Sequence, residues 1–156
     1  MKTKREIGME FFKQGYNCSQ AVVLTFAEDF GVEPEMAKRI ASGFGGGMGR
    51  MREVCGAVSG MVLIAGLMNG MTMPKDAKAK KENYDLVQEM ANQFREQNGS
   101  IICHELLGLG TDKPTVRAEA MEGTMPEVRT AEYYRKRPCA ELVGDACEII
   151  EDLLKR

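Results

Sequence analysis

Apolar residues recur at helical spacing along nearly the whole chain, and the strict alternation of a half-buried strand is almost absent. Ile7 and Phe11 sit one turn apart in 3–14, with Thr3 placed to cap that helix. Gly15 and Tyr16 interrupt the pattern. Asn17, followed three residues later by Gln20, is a capping-box signature and predicts a second helix over 18–30. Val22, Phe26 and Phe30 form its stripe, and Gly31 suits the residue that closes it. Pro34 fits the first turn of a third helix ending near Ser42.

Five glycines fill seven positions in 43–49, so 42–50 is predicted as a loop or a tight backbone crossing. A helix follows over 54–68, where Gly56, Ala57, Ser59, Gly60, Ala65 and Gly66 leave room for neighbours to approach closely. A charged helix is predicted over 76–96, with Tyr84, Val87, Ala91 and Phe94 as its buried stripe. Lys75, Lys78, Lys80 and Lys81 read as a solvated basic face. Asn98-Gly99 stops this helix, and Ser100 caps a short one over 101–107. Residues 108–129, with Pro114, Gly123 and Pro126, predict a long loop or lid. The last helix runs over 138–155, with Leu142, Val143, Ile149, Ile150, Leu153 and Leu154 inward. The expectation is an all-α fold: one domain over 1–156, a compact bundle of about six helices with a glycine-rich loop and one long loop.

With 44% apolar and 28% charged residues in 156, the composition is that of a globular chain able to bury a core without disulfides. A formal charge of -2 and no Trp remove the footprint and stacking platform of a nucleic-acid binder. The uncharged stretch 54–73 reaches the length of a membrane span, but its Gly, Ser and Asn residues favour a buried helix. The opening MKTKREIGMEFFKQG has no apolar h-region. Five cysteines cannot all pair internally and fall far below disulfide-scaffold density, so the expected location is cytoplasmic, with reduced thiols.

Four of these cysteines fall in the first turn of four different predicted helices: Cys18, Cys55, Cys103 and Cys139. A helix start presents unpaired N–H groups and about half a positive charge, which draws a thiol's pKa from about 8.5 toward neutrality. The placement predicts four low-pKa thiols sharing one positively polarised pocket, with at least two sulfurs close enough to pair or share a metal. Cys147 lies roughly 12 Å further along the last helix, at about 1.5 Å per residue, and is assigned to packing. His104, the only histidine, is weighed as a proton partner or further ligand beside Cys103 against a partly exposed surface residue. The glycine segment lacks the GK[ST] of a phosphate loop and follows no strand. Gly45, Gly46, Gly47 and Gly56 are instead read as bringing backbone close to the cysteine site and lining a cofactor position, with Arg50 adding positive charge near Cys55; a structural hinge is the competing account. The twelve methionines read as core filling.

NCSQAV around Cys18, ASGFGGGMGR, CGAVSG from Cys55, CHELLG at Cys103 and CAELV at Cys139 together resemble the C-GCAxxG-C-C family. The resemblance spans nearly the whole chain and leaves Cys147 outside the pattern. It implies redox activity and brings no substrate. Two function classes follow. One is thiol chemistry: either disulfide exchange with a redox partner protein or a small thiol or disulfide, or electron transfer at an iron–sulfur cluster or zinc held by Cys18, Cys55, Cys103 and Cys139, with His104 as an added ligand. The other is a non-catalytic metal-binding or protein-interaction module whose cysteines are structural. The small-residue helix can pack within a protomer or across a homodimer.

Overall fold

The computed structural model describes residues 1–108 and 123–156, without the side chains of Arg135 and Lys136. Of the described residues 70% are helical and none forms a strand. Helix α1, Lys4–Lys13, is capped by the Thr3 side chain, which accepts from the Glu6 amide. Helix α2, Cys18–Ala27, opens on a full capping box between Asn17 and Gln20. A 3-10 turn, Glu28–Phe30, extends it to Gly31, whose φ of 68° closes the segment in the left-handed region. Helix α3 is Pro34–Ala41, with its proline in the first turn. Helix α4 is Gly56–Asn69, and α5 is Ala77–Asn98, capped by Asp76. Then follow the short α6, Cys103–Leu106, helix α7, Ala131–Lys136, and α8, Cys139–Leu154.

Helix α4 packs against α2 on one side and α5 on another, while α8 lies along α1 and touches α2, α4 and α5. The small residues of α4 make its approach to α2 possible. A Cβ at Gly60 would lie 2.8 Å from Cβ of Val22, and one at Gly56 would lie 3.1 Å from Cβ of Cys18. Phe12, Val22, Phe26, Met61, Ile64, Phe94, Ile149 and Ile150 fill the core; burial of each side chain of this size stabilises by about 1.5–3 kcal/mol. Arg5 fastens α1 to α8 by bridging Asp145 at 2.7 Å, Glu148 at 2.9 Å and Glu141 at 2.5 Å.

The all-α bundle is as expected, with eight right-handed α-helices among the described residues where the sequence pattern predicts about six. Several details are corrected. Helix α7 has no counterpart in the sequence reading. Tyr84 is 58% exposed, so the fully buried part of α5 reduces to Met90 and Phe94 near its C-terminal end. Leu154 is exposed at the end of α8, and Pro138 is the cap that precedes α8 rather than part of its first turn. Residues 109–122 of the predicted long loop lie outside the described residues. No described helix is long and apolar enough to cross a membrane.

Candidate functional site

The glycine-rich segment builds the floor of the site. After a 3-10 turn at Ser42–Phe44, Gly46, Gly47, Met48, Gly49 and Arg50 all have φ between 59° and 71°. Five consecutive residues thus form a left-handed turn, where a side chain costs roughly 1–2 kcal/mol per residue and glycine is at home. Long backbone bonds hold it: Gly49 N–H donates to Gly43 O at 2.8 Å, Arg52 N–H to Gly46 O at 3.1 Å and Glu53 N–H to Gly47 O at 2.9 Å. The chain then crosses 101–104. Cys55 N–H donates to Ile101 O at 2.8 Å, Cys103 N–H to Glu53 O at 2.6 Å, and His104 N–H to Arg52 O at 3.2 Å. These bonds flank an antiparallel bridge between Val54 and Ile102 and set the starts of α4 and α6 side by side.

Gly47 sits beneath this crossing. A Cβ there would lie 2.7 Å from both Cβ of Cys103 and Cα of Arg52. Gly45 lies against the side chain of Asn17, whose Nδ2 donates to Ser42 O at 2.9 Å. The residue that caps the helix of Cys18 is therefore fastened to the same glycine turn that underlies Cys103.

The result is a cavity of about 380 Å³ lined by Cys18, Cys55, Cys103 and Cys139. Cys18, Cys103 and Cys139 are the first residues of α2, α6 and α8, and Cys55 is the cap of α4. Gly45, Gly46, Gly47, Arg50 and Gly56 line it too, as does a set that sequence reasoning missed: Arg52, Arg129, Tyr133 and Arg137. Arg50 donates to the carbonyls of Gly123 and Met125, holding that segment at the cavity. Cys147 lies elsewhere, fully buried where α1 and α8 meet; a Cβ at Gly8 would fall 2.6 Å from its sulfur. His104 is buried rather than partly exposed and does not line the cavity. Its Nδ1 has no hydrogen-bond partner among the described residues.

The electrostatics single out Cys139. A hydrogen bond from Cys18 is the largest cause that lowers its pKa to about 7, aided by Arg137, Arg52 and the Tyr133 hydroxyl against the opposing effect of burial. Cys18 moves well above its ordinary value, because it gives its proton to that bond, because it is buried, and because neighbouring thiolates repel its charge. Burial pushes Cys55 up to about 12, although the N–H groups of Ala57 and Val58 pull the other way. Burial also raises Cys103 against Arg52, whose Nη1 donates to its sulfur at 3.8 Å. Burial first, then Cys139 and Cys18, push Tyr133 up to about 12, so it remains a donor. The expectation of four low-pKa thiols is corrected: the hydrogen bond with Cys139 at Cys18, and burial at Cys55 and Cys103, outweigh the helix start, and of the four only Cys139 is drawn below its ordinary value.

A tetrahedral zinc site needs four donors near 2.3 Å from one ion. Among the described residues no group of three or more His, Cys, Asp or Glu side chains gathers closely enough to hold a metal ion. As arranged, the four cysteines and His104 do not fit a zinc or iron–sulfur centre. The site is a set of thiols, one of them ionised, in a pocket rich in guanidinium groups.

No curated protein and no solved structure matches the chain. Residues 16–153, a stretch carrying all four cavity cysteines, match one family throughout, and the chain belongs to it: the family described as "Putative redox-active protein (C_GCAxxG_C_C)".

Proposed function

We propose that this protein is a thiol–disulfide oxidoreductase in which Cys139 is the attacking thiolate and Cys18 the resolving thiol. The observation that carries this reading is the gathering of Cys18, Cys55, Cys103 and Cys139 on one cavity, with the electrostatics coupling Cys18 to Cys139. The thiolate is the nucleophile in disulfide exchange, and a pKa near ambient pH is best for an attacking thiol.

Cys139 attacks one sulfur of a substrate disulfide. The substrate's S–S bond breaks, its second sulfur leaves as a thiolate, and a mixed disulfide forms at Cys139. Loss of negative charge on Cys139 removes a cause of the raised Cys18 pKa, so Cys18 yields its proton to the departing thiolate. Cys18 then attacks the Cys139 sulfur, closing a Cys18–Cys139 disulfide and releasing the second substrate sulfur as a thiolate, which takes its proton from water. Two electrons pass from the pair to the substrate. A dithiol, on a partner protein or a small molecule, returns them. Tyr133 and Arg137 hold the Cys139 thiolate by hydrogen bond and charge. Cys55 and Cys103, kept protonated by burial, are assigned to internal exchange rather than to first attack. We place the cycle in the cytoplasm, where thiols are kept reduced.

The test is disulfide mapping. Protein purified without air, then given one equivalent of diamide and alkylated, should yield a peptide pair joining Cys18 to Cys139 on mass spectrometry. No disulfide among the four cavity cysteines under any oxidant would overturn the reading. So would one equivalent of zinc or iron that leaves only on denaturation.

A further inference from the structure

Four guanidinium groups, those of Arg50, Arg52, Arg129 and Arg137, line the cavity, against one carboxylate, Glu127, among the described lining residues. Glu127 pairs with Arg137 at 2.5 Å. Arg50 and Arg129 meet backbone carbonyls. Arg129 donates to the carbonyls of Phe12 and Tyr16 and lies over the Phe12 ring at 4.0 Å. Arg50 donates to the carbonyls of Gly123 and Met125. Carbonyls satisfy N–H groups without cancelling charge. Even with a thiolate at Cys139 the guanidinium groups outnumber the anions among the described lining residues, in a chain whose formal net charge is -2. A concave site with apolar walls concentrates such a field on whatever enters it.

Access points the same way. Cys55, Cys103 and Cys139 are only 4%, 7% and 9% exposed, so a disulfide on the flat surface of a folded protein does not reach them. A molecule that enters a cavity of about 380 Å³ does; this is the lower part of the usual small-ligand range. Guanidinium groups bind carboxylates in a planar, two-bond geometry.

We infer that the substrate is a small dialkyl disulfide bearing carboxylate groups, bound by the cavity arginines with its sulfurs at Cys139. The inference rests on the thiol–disulfide reading above and adds the substrate class. The exchange balances: the substrate disulfide takes two electrons from the cysteine pair, one proton from Cys18 and one from water (the equivalent of the proton Cys139 gave up on ionising) to become two carboxylate-bearing thiols, Cys18 and Cys139 become a disulfide, and an added dithiol such as dithiothreitol restores them.

Three disulfides of like S–S chemistry separate the possibilities: 3,3'-dithiodipropionate, a dianion; 2-hydroxyethyl disulfide, neutral; and cystamine, a dication. Each is mixed with reduced protein, and the rate of Cys139 oxidation is divided by the rate with free 2-mercaptoethanol at the same pH. The expected order is anion, neutral, cation, with the anion favoured over the neutral compound at least tenfold and the advantage shrinking as salt rises. In Arg50→Gln, a half-buried position outside the hydrophobic core, the anion-to-neutral ratio should fall several-fold. A wild-type ratio below ten overturns the substrate class while oxidation by the neutral compound leaves the exchange reading intact. If none of the three forms a mixed or internal disulfide at Cys139, the exchange reading falls with it.

Discussion

Arg52 donates through Nη1 to the sulfur of Cys103 at 3.8 Å, and the guanidinium that does so belongs to a residue only 8% exposed. Its backbone belongs to the same arrangement: at a φ of 59°, its N–H reaches Gly46 O and its carbonyl receives the His104 amide. One residue thus holds the crossing closed and opposes the effect of burial on the thiol beside it. Replacing Arg52 by Gln removes the charge and leaves a shorter, neutral donor that does not reach the sulfur as Nη1 does. The Cys103 pKa should then rise further, and its alkylation by iodoacetamide at pH 9, followed peptide by peptide, should slow. Stability should drop by about 1–3 kcal/mol, the cost of leaving buried polar groups short of partners. Unchanged alkylation at Cys103 would mean that the guanidinium does not act on the sulfur.

The glycine turn makes a comparison possible within five residues. Gly47 and Gly49 have φ of 71° and 59°, so alanine at either meets the left-handed backbone penalty of roughly 1–2 kcal/mol. Around Gly49 nothing lies within 4 Å of an added Cβ, whereas at Gly47 the Cβ would meet Arg52 and Cys103 at 2.7 Å. Overlap of this kind adds about 1–3 kcal/mol. Urea unfolding should therefore show Gly47→Ala losing clearly more than Gly49→Ala. Equal losses would show that the close crossing at Cys103 does not constrain the site.

Much of this was legible in the sequence because it is local. The capping box at Asn17 and Gln20, the cap at Thr3, Pro34 at a first turn and Gly31 after a helix are set by neighbours within four residues. The same local signals placed four cysteines at helix starts. What stayed hidden depends on contacts distant in the chain. Arg52, and Tyr133 with Arg137, reach the cavity from two separate segments, and no spacing rule connects them to Cys18. Helix α7, six residues rich in charge, has too short a stripe to register. The left-handed turn extends through Met48 and Arg50, where nothing in the residue type announces it. The thiol pKa values turned on burial at Cys55 and Cys103 and on the Cys18–Cys139 hydrogen bond at the other pair, both properties of the assembled fold, and helix starts alone pointed the wrong way for Cys18, Cys55 and Cys103.

Cys147 offers a control. It is fully buried, lines no part of the cavity and lies against Gly8 and Thr25. Cys147→Ala should retain the Cys18–Cys139 disulfide and its rate of formation while losing about 1–2 kcal/mol of stability to the space left behind. A variant that folds but no longer closes that disulfide would draw Cys147 into the redox set.

The pH dependence of Cys139 tests the thiol pair most directly. With a pKa lowered to about 7, its alkylation rate should climb through that pH and level off above it, while Cys55, at about 12, stays nearly inert over the same range. Removing the donor in Cys18→Ala should shift the Cys139 midpoint upward, since that hydrogen bond is the largest cause of the depression. The same groups act on stability with opposite signs. Cys139 lies below its ordinary value of 9.0, so its contribution is present above pH 9 and is lost as pH falls through about 7. Cys55 and Cys147, both at about 12, contribute below pH 9 and lose that contribution as pH rises toward 12, because the unfolded chain ionises first. The melting temperature should therefore decline from pH 9 to pH 11, and less steeply in Cys147→Ala, which removes one of the two thiols raised to about 12. A Cys139 midpoint that remains near 9 in the wild type, or near 7 after Cys18→Ala, would break the pairing on which the exchange chemistry depends.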